Sequence, residues 1–242
     1  ISEVYDGYTL YTPGGGGGGS AGVTYLKDSN WNTINTWNHD CGPASMPYLV
    51  TGDEPGLENS LLYYPCKGNS IMNSGGVGGQ VKIYTWDGTL LWSYQVAGTI
   101  SEATSNNAMQ HHHDIEPLPN GNVLILAWER LYSSEWQNLG VEEVNNNLNQ
   151  MWTTAILEVE PNLSTGSAEI VWEWYIKDHL VQDLDPSLPN YGTISDHPEL
   201  MDANCGTIGS SGGPQGEPNG DWMHINAIDY NAELDQIVLS SR

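Results

Sequence analysis

The sequence predicts an all-β protein, and three observations carry this prediction. Short apolar runs rich in Val, Ile, Tyr and Trp recur along the 242 residues, and these residue types favour extended chain. Turn-forming pairs such as Asp87-Gly88 and Asn120-Gly121 separate the runs. Strands that end in tryptophan recur at Trp37, Trp92 and Trp172. Such recurrence favours a β-propeller, for which a β-sandwich is the main alternative.

The apolar runs pair into successive hairpins, and a few inserts interrupt them. The predicted pairs are 22–26 with 33–37, 46–50 with 60–64, 80–84 with 90–94, the histidine-bearing run before Asn120-Gly121 with 123–128, 155–159 with 169–174, and 224–230 with 236–241. Among the inserts, 134–147 is expected to carry one short helix. Two more are expected at 178–184 and 196–201, the second capped by Asp196. The glycine run 14–19 and the segment 206–220 are expected to be loops.

We expect residues 1–242 to form a single propeller domain. At roughly 45 residues per blade, a chain of this length makes about five blades at most. The run 237–241 has the character of an inner strand, and no further strand follows it in the sequence. These features indicate a fragment that lacks its C-terminal blades.

The charge of the chain excludes some partners. Thirty acidic residues face six basic ones, giving a net charge of −24. Nucleic acid and anionic membrane surfaces need Lys and Arg, so neither is an expected partner. The acidic surface suits an extracellular or high-salt setting, where it keeps a protein soluble. No stretch approaches the ~20 apolar residues that span a bilayer, so membrane insertion is not expected.

The three cysteines allow two interpretations. Cys41 and Cys66 flank a strand-like segment and would form a disulfide in an oxidising compartment, leaving Cys205 free. The alternative is three buried thiols. Cysteine-based metal binding is not expected, because the chain contains no Cys-x-x-Cys pair.

Three adjacent histidines precede the Asn120-Gly121 turn and are the main chemical feature. Neighbouring side chains on a regular strand point to opposite faces, so His111 and His113 are expected on one face, and His112 and Asp114 on the other. This alternation argues against all three histidines sharing one metal ion, although metal ligation remains an alternative to catalysis.

Two further groups of residues are candidates for chemistry. Residues 221–226 place His224 and Asn226 at the entrance of a strand, and Arg242 offers a planar donor fork for an oxyanion. A surface ion pair is the alternative role for Arg242. Glu116 and Glu129 flank the histidine hairpin and form a candidate carboxylate pair.

The blocks 112–124 and 221–230, with the 237–242 end, resemble the arylsulfotransferase family of bacterial arylsulfate sulfotransferases. The likeness extends from about Tyr8 to Arg242 and includes 37–39 and 87–92. The resemblance implies an exported six-bladed propeller that needs no cofactor. It implies transfer of a sulfuryl group from a phenolic sulfate ester to a phenol through a sulfated histidine.

The resemblance also implies roles for individual residues. His113, or His112 because the register is ambiguous, would line a central channel with His224, and Arg242 would hold the sulfuryl oxygens. His111, His112 and Asn226 are candidates for substrate binding. In the family the nucleophilic histidine lies downstream of the position of Arg242, where this sequence ends.

Two other functional classes stay open. One is a non-catalytic extracellular propeller for ligand binding or surface assembly, in which acidic loops hold Ca²⁺. The other is a quinone-dependent propeller oxidoreductase, which the Trp-ended strands fit and the histidine block does not. The sequence does not determine the oligomeric state.

Overall fold

A computed structural model describes residues 7–14, 21–52, 56–72, 74–99, 108–211 and 217–242. Most of the predicted glycine loop and parts of the loops at 52–56 and 206–220 lie outside these residues. The described chain is almost entirely strand and loop. Its strands are β1 Thr9–Tyr11, β2 Val23–Lys27, β3 Thr33–Asn38, β4 Tyr48–Val50, β5 Leu61–Lys67, β6 Gly79–Tyr84, β7 Leu90–Gln95, β8 Ala97–Thr99, β9 Ala108–Pro117, β10 Val123–Tyr132, β11 Gln150–Pro161, β12 Ala168–Tyr175, β13 Leu180–Val181, β14 Met201–Asp202, β15 Ile225–Asn231 and β16 Gln236–Ser241.

The strands form successive antiparallel sheets in which chain neighbours are also neighbours in space. Sheet I contains β1 to β3, sheet II contains β4 to β7, sheet III contains β8 to β12, and sheet IV contains β15 and β16. Each of the six predicted hairpins is confirmed, because each predicted pair is hydrogen-bonded in register. Strands β13 and β14 form a small parallel pair between sheets III and IV in the chain.

The sheets stack face to face in chain order. Leu26 and Trp37 of sheet I pack with Leu62 and Tyr64 of sheet II. The alternate residues of sheet II, such as Tyr63, pack against sheet III. The other face of sheet III, with Leu124, Leu126 and Ile156, packs against Ile225 and Ile228 of sheet IV. Sheets II and III are therefore packed on both faces, and this sequential stacking of meanders is the propeller-like architecture that the sequence predicted.

The expected helices are confirmed only in part. The insert at 134–147 carries the short helix α1, Ser133–Gln137. Residues 178–184 and 196–201 do not form the predicted helices and contain single 3₁₀ turns, Ile176–His179 and Ile194–Asp196. Leu180 and Val181 are buried and pair with β14, and Asp196 ends its turn instead of capping a helix. Pro198 also disfavours a helical conformation in the residue before it.

The predicted disulfide is present. Cys41 and Cys66 are bonded and their Cα atoms lie 5.9 Å apart, while Cys205 is a free thiol. The alternative of three buried thiols is therefore wrong. Among the described residues, no helix has the length and apolar character needed to cross a bilayer.

Candidate active site

The histidine strand β9 carries a large bulge at its centre. His111 lies opposite Ala127, but Ile115 lies opposite Ile125, so three residues of β9 face the single Leu126 of β10. His113 takes a left-handed backbone conformation, with φ of 52°. The predicted alternation of the histidines is therefore wrong. The rings of His112 and His113 meet each other, and His111 lies apart from them.

Residues 75–79, with the sequence Gly-Gly-Val-Gly-Gly, cover the histidines. We call them the glycine strap. The Gly76 carbonyl accepts the His113 N–H at 2.7 Å, and the Gly79 N–H donates to His111 Nδ1 at 3.1 Å. A Cβ atom at Gly76 would lie 2.0 Å from the His113 ring, and one at Gly78 would lie 2.1 Å from the His111 ring. Only glycine allows the strap to approach this closely.

His112 is fully buried behind the bulge. Its ring stacks on Trp128 with centroids 4.0 Å apart and planes 7° from parallel. Its Nδ1 atom lies 3.0 Å from Nδ1 of His113. Its Nε2 atom is buried and has no hydrogen-bond partner among the described residues. Among the described histidines, His113 is therefore the one that connects His112 to the site.

His224 forms a close pair with Asp221 just before β15. Its Nδ1 atom and Asp221 Oδ2 share a short hydrogen bond, while Trp128 Nε1 donates to Asp221 Oδ1 at 2.9 Å. Met223 and His224 both have positive φ, and this tight turn brings His224 back onto the carboxylate three residues earlier. Because the carboxylate accepts the Nδ1 proton, the Nε2 atom of neutral His224 carries a lone pair.

A cavity of about 380 Å³ opens at this pair. Its lining includes Ser74 and Gly75 at the start of the strap, together with Asp221, His224 and Arg242. The ring of His113 meets the ring of His224 edge to face, with centroids 4.8 Å apart. The cavity therefore joins a carboxylate-bound imidazole and a guanidinium, with a second imidazole directly behind.

The histidines of β9 are held in the neutral state. Burial lowers the pKa of His111 to about 3 and that of His113 to about 4, with neighbouring imidazoles adding to both shifts. Burial also keeps the pKa of His112 well below 6.5, and the nearby Ala127 carbonyl offsets only part of this effect. Neutral rings are hydrogen-bonding groups and bases at physiological pH.

We expect the free energy of unfolding to decrease as the pH falls from 6.5 toward 4. The unfolded chain binds protons near pH 6.5, whereas His39, His111 and His113 in the folded protein have pKa values of about 4, 3 and 4. Glu116 acts in the opposite sense, because burial and nearby Asp229 raise its pKa from 4.5 to about 7. Its contribution to stability is lost as the pH rises through 7.

Urea unfolding at a series of pH values measures this balance. Glu116→Gln should steepen the loss of stability on acidification, because it removes the only opposing shift named above. A profile that is flat or rises below pH 6.5 would contradict the neutral buried imidazoles.

The structure brings together some of the candidate residues and separates others. His224 and Arg242 line one cavity, and His113 contacts His224. His112 lies behind His113. His111 is buried beneath the strap, and Asn226 lies at a bulge of β15 outside the cavity lining.

The predicted carboxylate pair is wrong. Glu116 and Glu129 lie near opposite ends of the β9–β10 hairpin, opposite Leu124 and Met109 respectively. Glu129 is buried and its Oε1 atom lies 2.5 Å from Lys177 Nζ. In the described ranges, no group of three or more His, Cys, Asp or Glu residues is arranged to hold a metal ion.

Sequence reasoning missed the glycine strap and the roles of Asp221 and Trp128. The Gly-Gly-Val-Gly-Gly run was a visible signal, because paired glycines beside a strand often mark a close backbone approach. The contact of Trp128 with Asp221 spans 93 residues, and no local pattern predicts it.

Comparison with known proteins identifies the family. A family model described as Arylsulfotransferase (ASST) matches residues 77–242, well over half of the chain. A search of curated proteins gives no match. The matched residues include His111 to His113, Asp221, His224 and Arg242, and they extend from β6 of sheet II through sheets III and IV. The protein belongs to the arylsulfotransferase family.

Proposed function

We propose that the protein transfers a sulfuryl group from a phenolic sulfate ester to a phenol through a sulfated histidine. Family membership supports the reaction class. The observation that carries the proposal is the single cavity lined by His224, Asp221 and Arg242, with His113 against His224. A tetrahedral oxyanion beside an aromatic leaving group needs these types of residue.

The reaction has two half-reactions. In the first, a histidine nitrogen forms a bond to sulfur as the S–O bond to the donor phenol breaks. The phenolate leaves with the electron pair of that bond and takes up a proton. In the second, the acceptor phenol gives up its proton, its oxygen bonds to sulfur, and the N–S electron pair returns to the histidine. No metal or cofactor is needed for this balance.

We assign binding and proton transfer to the residues of this cavity. In the family that the sequence resembles, the sulfated histidine lies after the position of Arg242, so none of the residues here is assigned as the nucleophile. Arg242 binds the sulfuryl oxygens through its guanidinium. His224, oriented by Asp221, accepts the proton of the acceptor phenol at Nε2. His113 supplies a second hydrogen-bonding group beside it.

We further propose that the protein works outside the cytoplasm, in the periplasm or the extracellular space. The Cys41–Cys66 disulfide supports this location, because such bonds form and persist in oxidising compartments. The net charge of −24 also keeps an exported protein soluble.

Release of 4-nitrophenol from 4-nitrophenyl sulfate, with phenol as acceptor, tests the function. We expect Arg242→Ala to lower turnover about 10²- to 10³-fold, the usual cost of losing one oxyanion donor. Arg242→Lys should recover only part of the loss, because Lys lacks the planar fork. Arg130→Ala is the matched control, because Arg130 packs over Tyr132 and does not line the cavity.

Two results would overturn the proposal. One is turnover that is unaffected by Arg242→Ala. The other is a protein that binds 4-nitrophenyl sulfate but releases no 4-nitrophenol at any concentration of the phenol acceptor. That result would favour the non-catalytic binding propeller.

A further inference from the structure

We propose that His112 is a positioning residue that fixes the tautomer of His113, so that His113 carries its proton on Nε2 while its ring lies against His224. The catalytic consequence rests on the proposed function, whereas the tautomer itself is a property of the resting protein. The argument uses the Nδ1–Nδ1 contact, the surroundings of His112 Nε2, and Trp128.

The contact between the two rings requires one proton. His112 Nδ1 and His113 Nδ1 lie 3.0 Å apart, so one of these atoms donates and the other accepts. Both rings are neutral, because burial keeps their pKa values far below 6.5. Each neutral ring carries one proton, so the choice at this contact determines which nitrogen of His113 carries its proton.

The surroundings of His112 determine that choice. Its Nε2 atom is buried without a hydrogen-bond partner among the described residues. A proton on this atom would bury an N–H donor without an acceptor, which carries the full desolvation penalty of that group. Nε2 of His112 is therefore the unprotonated atom, and its Nδ1–H donates to His113. His113 in turn carries its proton on Nε2.

Trp128 connects His112 to the Asp221–His224 pair. One face of the indole stacks on His112 at 4.0 Å, while its Nε1–H donates to Asp221 at 2.9 Å. Asp221 orients His224, and His224 contacts His113. The five side chains form a closed ring, so one buried indole sets the position of both imidazoles.

The result is a pair of imidazoles with opposite roles. His224 Nε2 is an acceptor that takes the proton of a phenol. His113, whose ring lies against that of His224, is a hydrogen-bond donor at Nε2. Two imidazoles in the same tautomer would not divide the work in this way.

Nitrogen NMR of protein labelled with ¹⁵N-histidine tests the assignment directly. In the resting protein we expect His113 to be protonated on Nε2 and His112 on Nδ1, with signals assigned by single His→Asn variants. A His113 ring protonated on Nδ1 would overturn the proposal. This spectrum is recorded without turnover. A protein that has these tautomers but no transferase activity would therefore contradict only the proposed function.

Substitutions then separate positioning from packing. His112→Asn keeps an N–H donor close to the Nδ1 position, whereas His112→Leu fills similar space without one. We expect His112→Leu to mix the His113 tautomers and lower kcat on the order of 10- to 100-fold, the usual cost of losing a partner that orients a histidine. His112→Asn should preserve the tautomer and recover part of the rate.

His111→Leu is the matched control, because His111 is equally buried on the same strand and its Nδ1 bonds to the strap. It should leave the His113 tautomer unchanged. Equal losses of kcat in His111→Leu and His112→Leu, with the same His113 spectrum in both, would overturn a positioning role.

Discussion

Asp221→Asn should reduce turnover between about 10³- and 10⁴-fold, because a carboxamide donates where the carboxylate accepted and so reverses the tautomer of its histidine. Asp221 accepts from both His224 Nδ1 and Trp128 Nε1. In the variant the amide still accepts from Trp128, while its N–H₂ group faces His224. The Nε2 atom of His224 then carries a proton and is unable to accept one from a phenol. Steady-state kinetics with 4-nitrophenyl sulfate measures the change.

Ser74→Ala is the companion variant for this experiment. Ser74 Oγ contacts the same carboxylate oxygen at 3.4 Å but leaves the His224 bond intact. We expect it to change turnover by less than about tenfold, since a hydrogen bond as long as 3.4 Å is weak and contributes on the order of 1 kcal/mol. Thermal melting should show that Asp221→Asn remains folded. Retention of more than a tenth of the turnover by folded Asp221→Asn would contradict the role of Asp221.

Gly76→Ala should cause a larger loss of stability than alanine at Gly75, Gly78 or Gly121. Gly76 has φ of 77°, and a Cβ atom there would lie 2.0 Å from the His113 ring. A left-handed non-glycine residue costs about 1–3 kcal/mol, and overpacking costs about 1–3 kcal/mol more. We therefore expect a decrease of about 3 kcal/mol or more in the free energy of unfolding, together with loss of activity. Urea unfolding followed by tryptophan fluorescence measures the stability.

Three other glycines separate the two causes. Alanine at Gly78 would introduce only the steric clash, since its Cβ would lie 2.1 Å from the His111 ring. Alanine at Gly121 would introduce only the backbone strain, because this residue has φ of 90° and open space around it. Gly75 has neither, because its Cβ would meet His224 at an ordinary 3.8 Å. Gly75→Ala should be nearly neutral, and the cost of Gly76→Ala should approach the sum of the other two. A Gly76→Ala protein as stable as Gly75→Ala would contradict the described approach of the strap.

The fold was largely predictable from the sequence because its signals are local. Turn pairs such as Asp87-Gly88 and Asn120-Gly121 lie between strands that pair with each other as predicted. The failed helices at 178–184 and 196–201 show the limit of such signals. There, tertiary pairing of Leu180 and Val181 with β14 prevailed over helical propensity.

The site was predictable only in outline. The motif residues His113, His224 and Arg242 were named, and the structure places His224 and Arg242 in the lining of one cavity, with His113 against His224. The bulge at His112 to Asp114 was not predicted, because a regular strand was the only geometry that the sequence pattern suggested. Its cause is non-local: the strap pairs with β9 through Gly76 and Val77, and sheet IV bonds Asp114 through the Ile228 N–H.

The glycine strap leads into β6 of sheet II, and the histidines that it covers belong to β9 of sheet III. The Asp221–His224 pair lies just before β15 of sheet IV. No single blade contains the site. The site therefore requires that sheets II, III and IV stay packed together. Separation at either interface between them would take the site apart while every hairpin remained intact. On mild heating or in dilute denaturant, activity should therefore be lost before strand content decreases. The loss of activity then measures the stability of the weakest interface between the sheets.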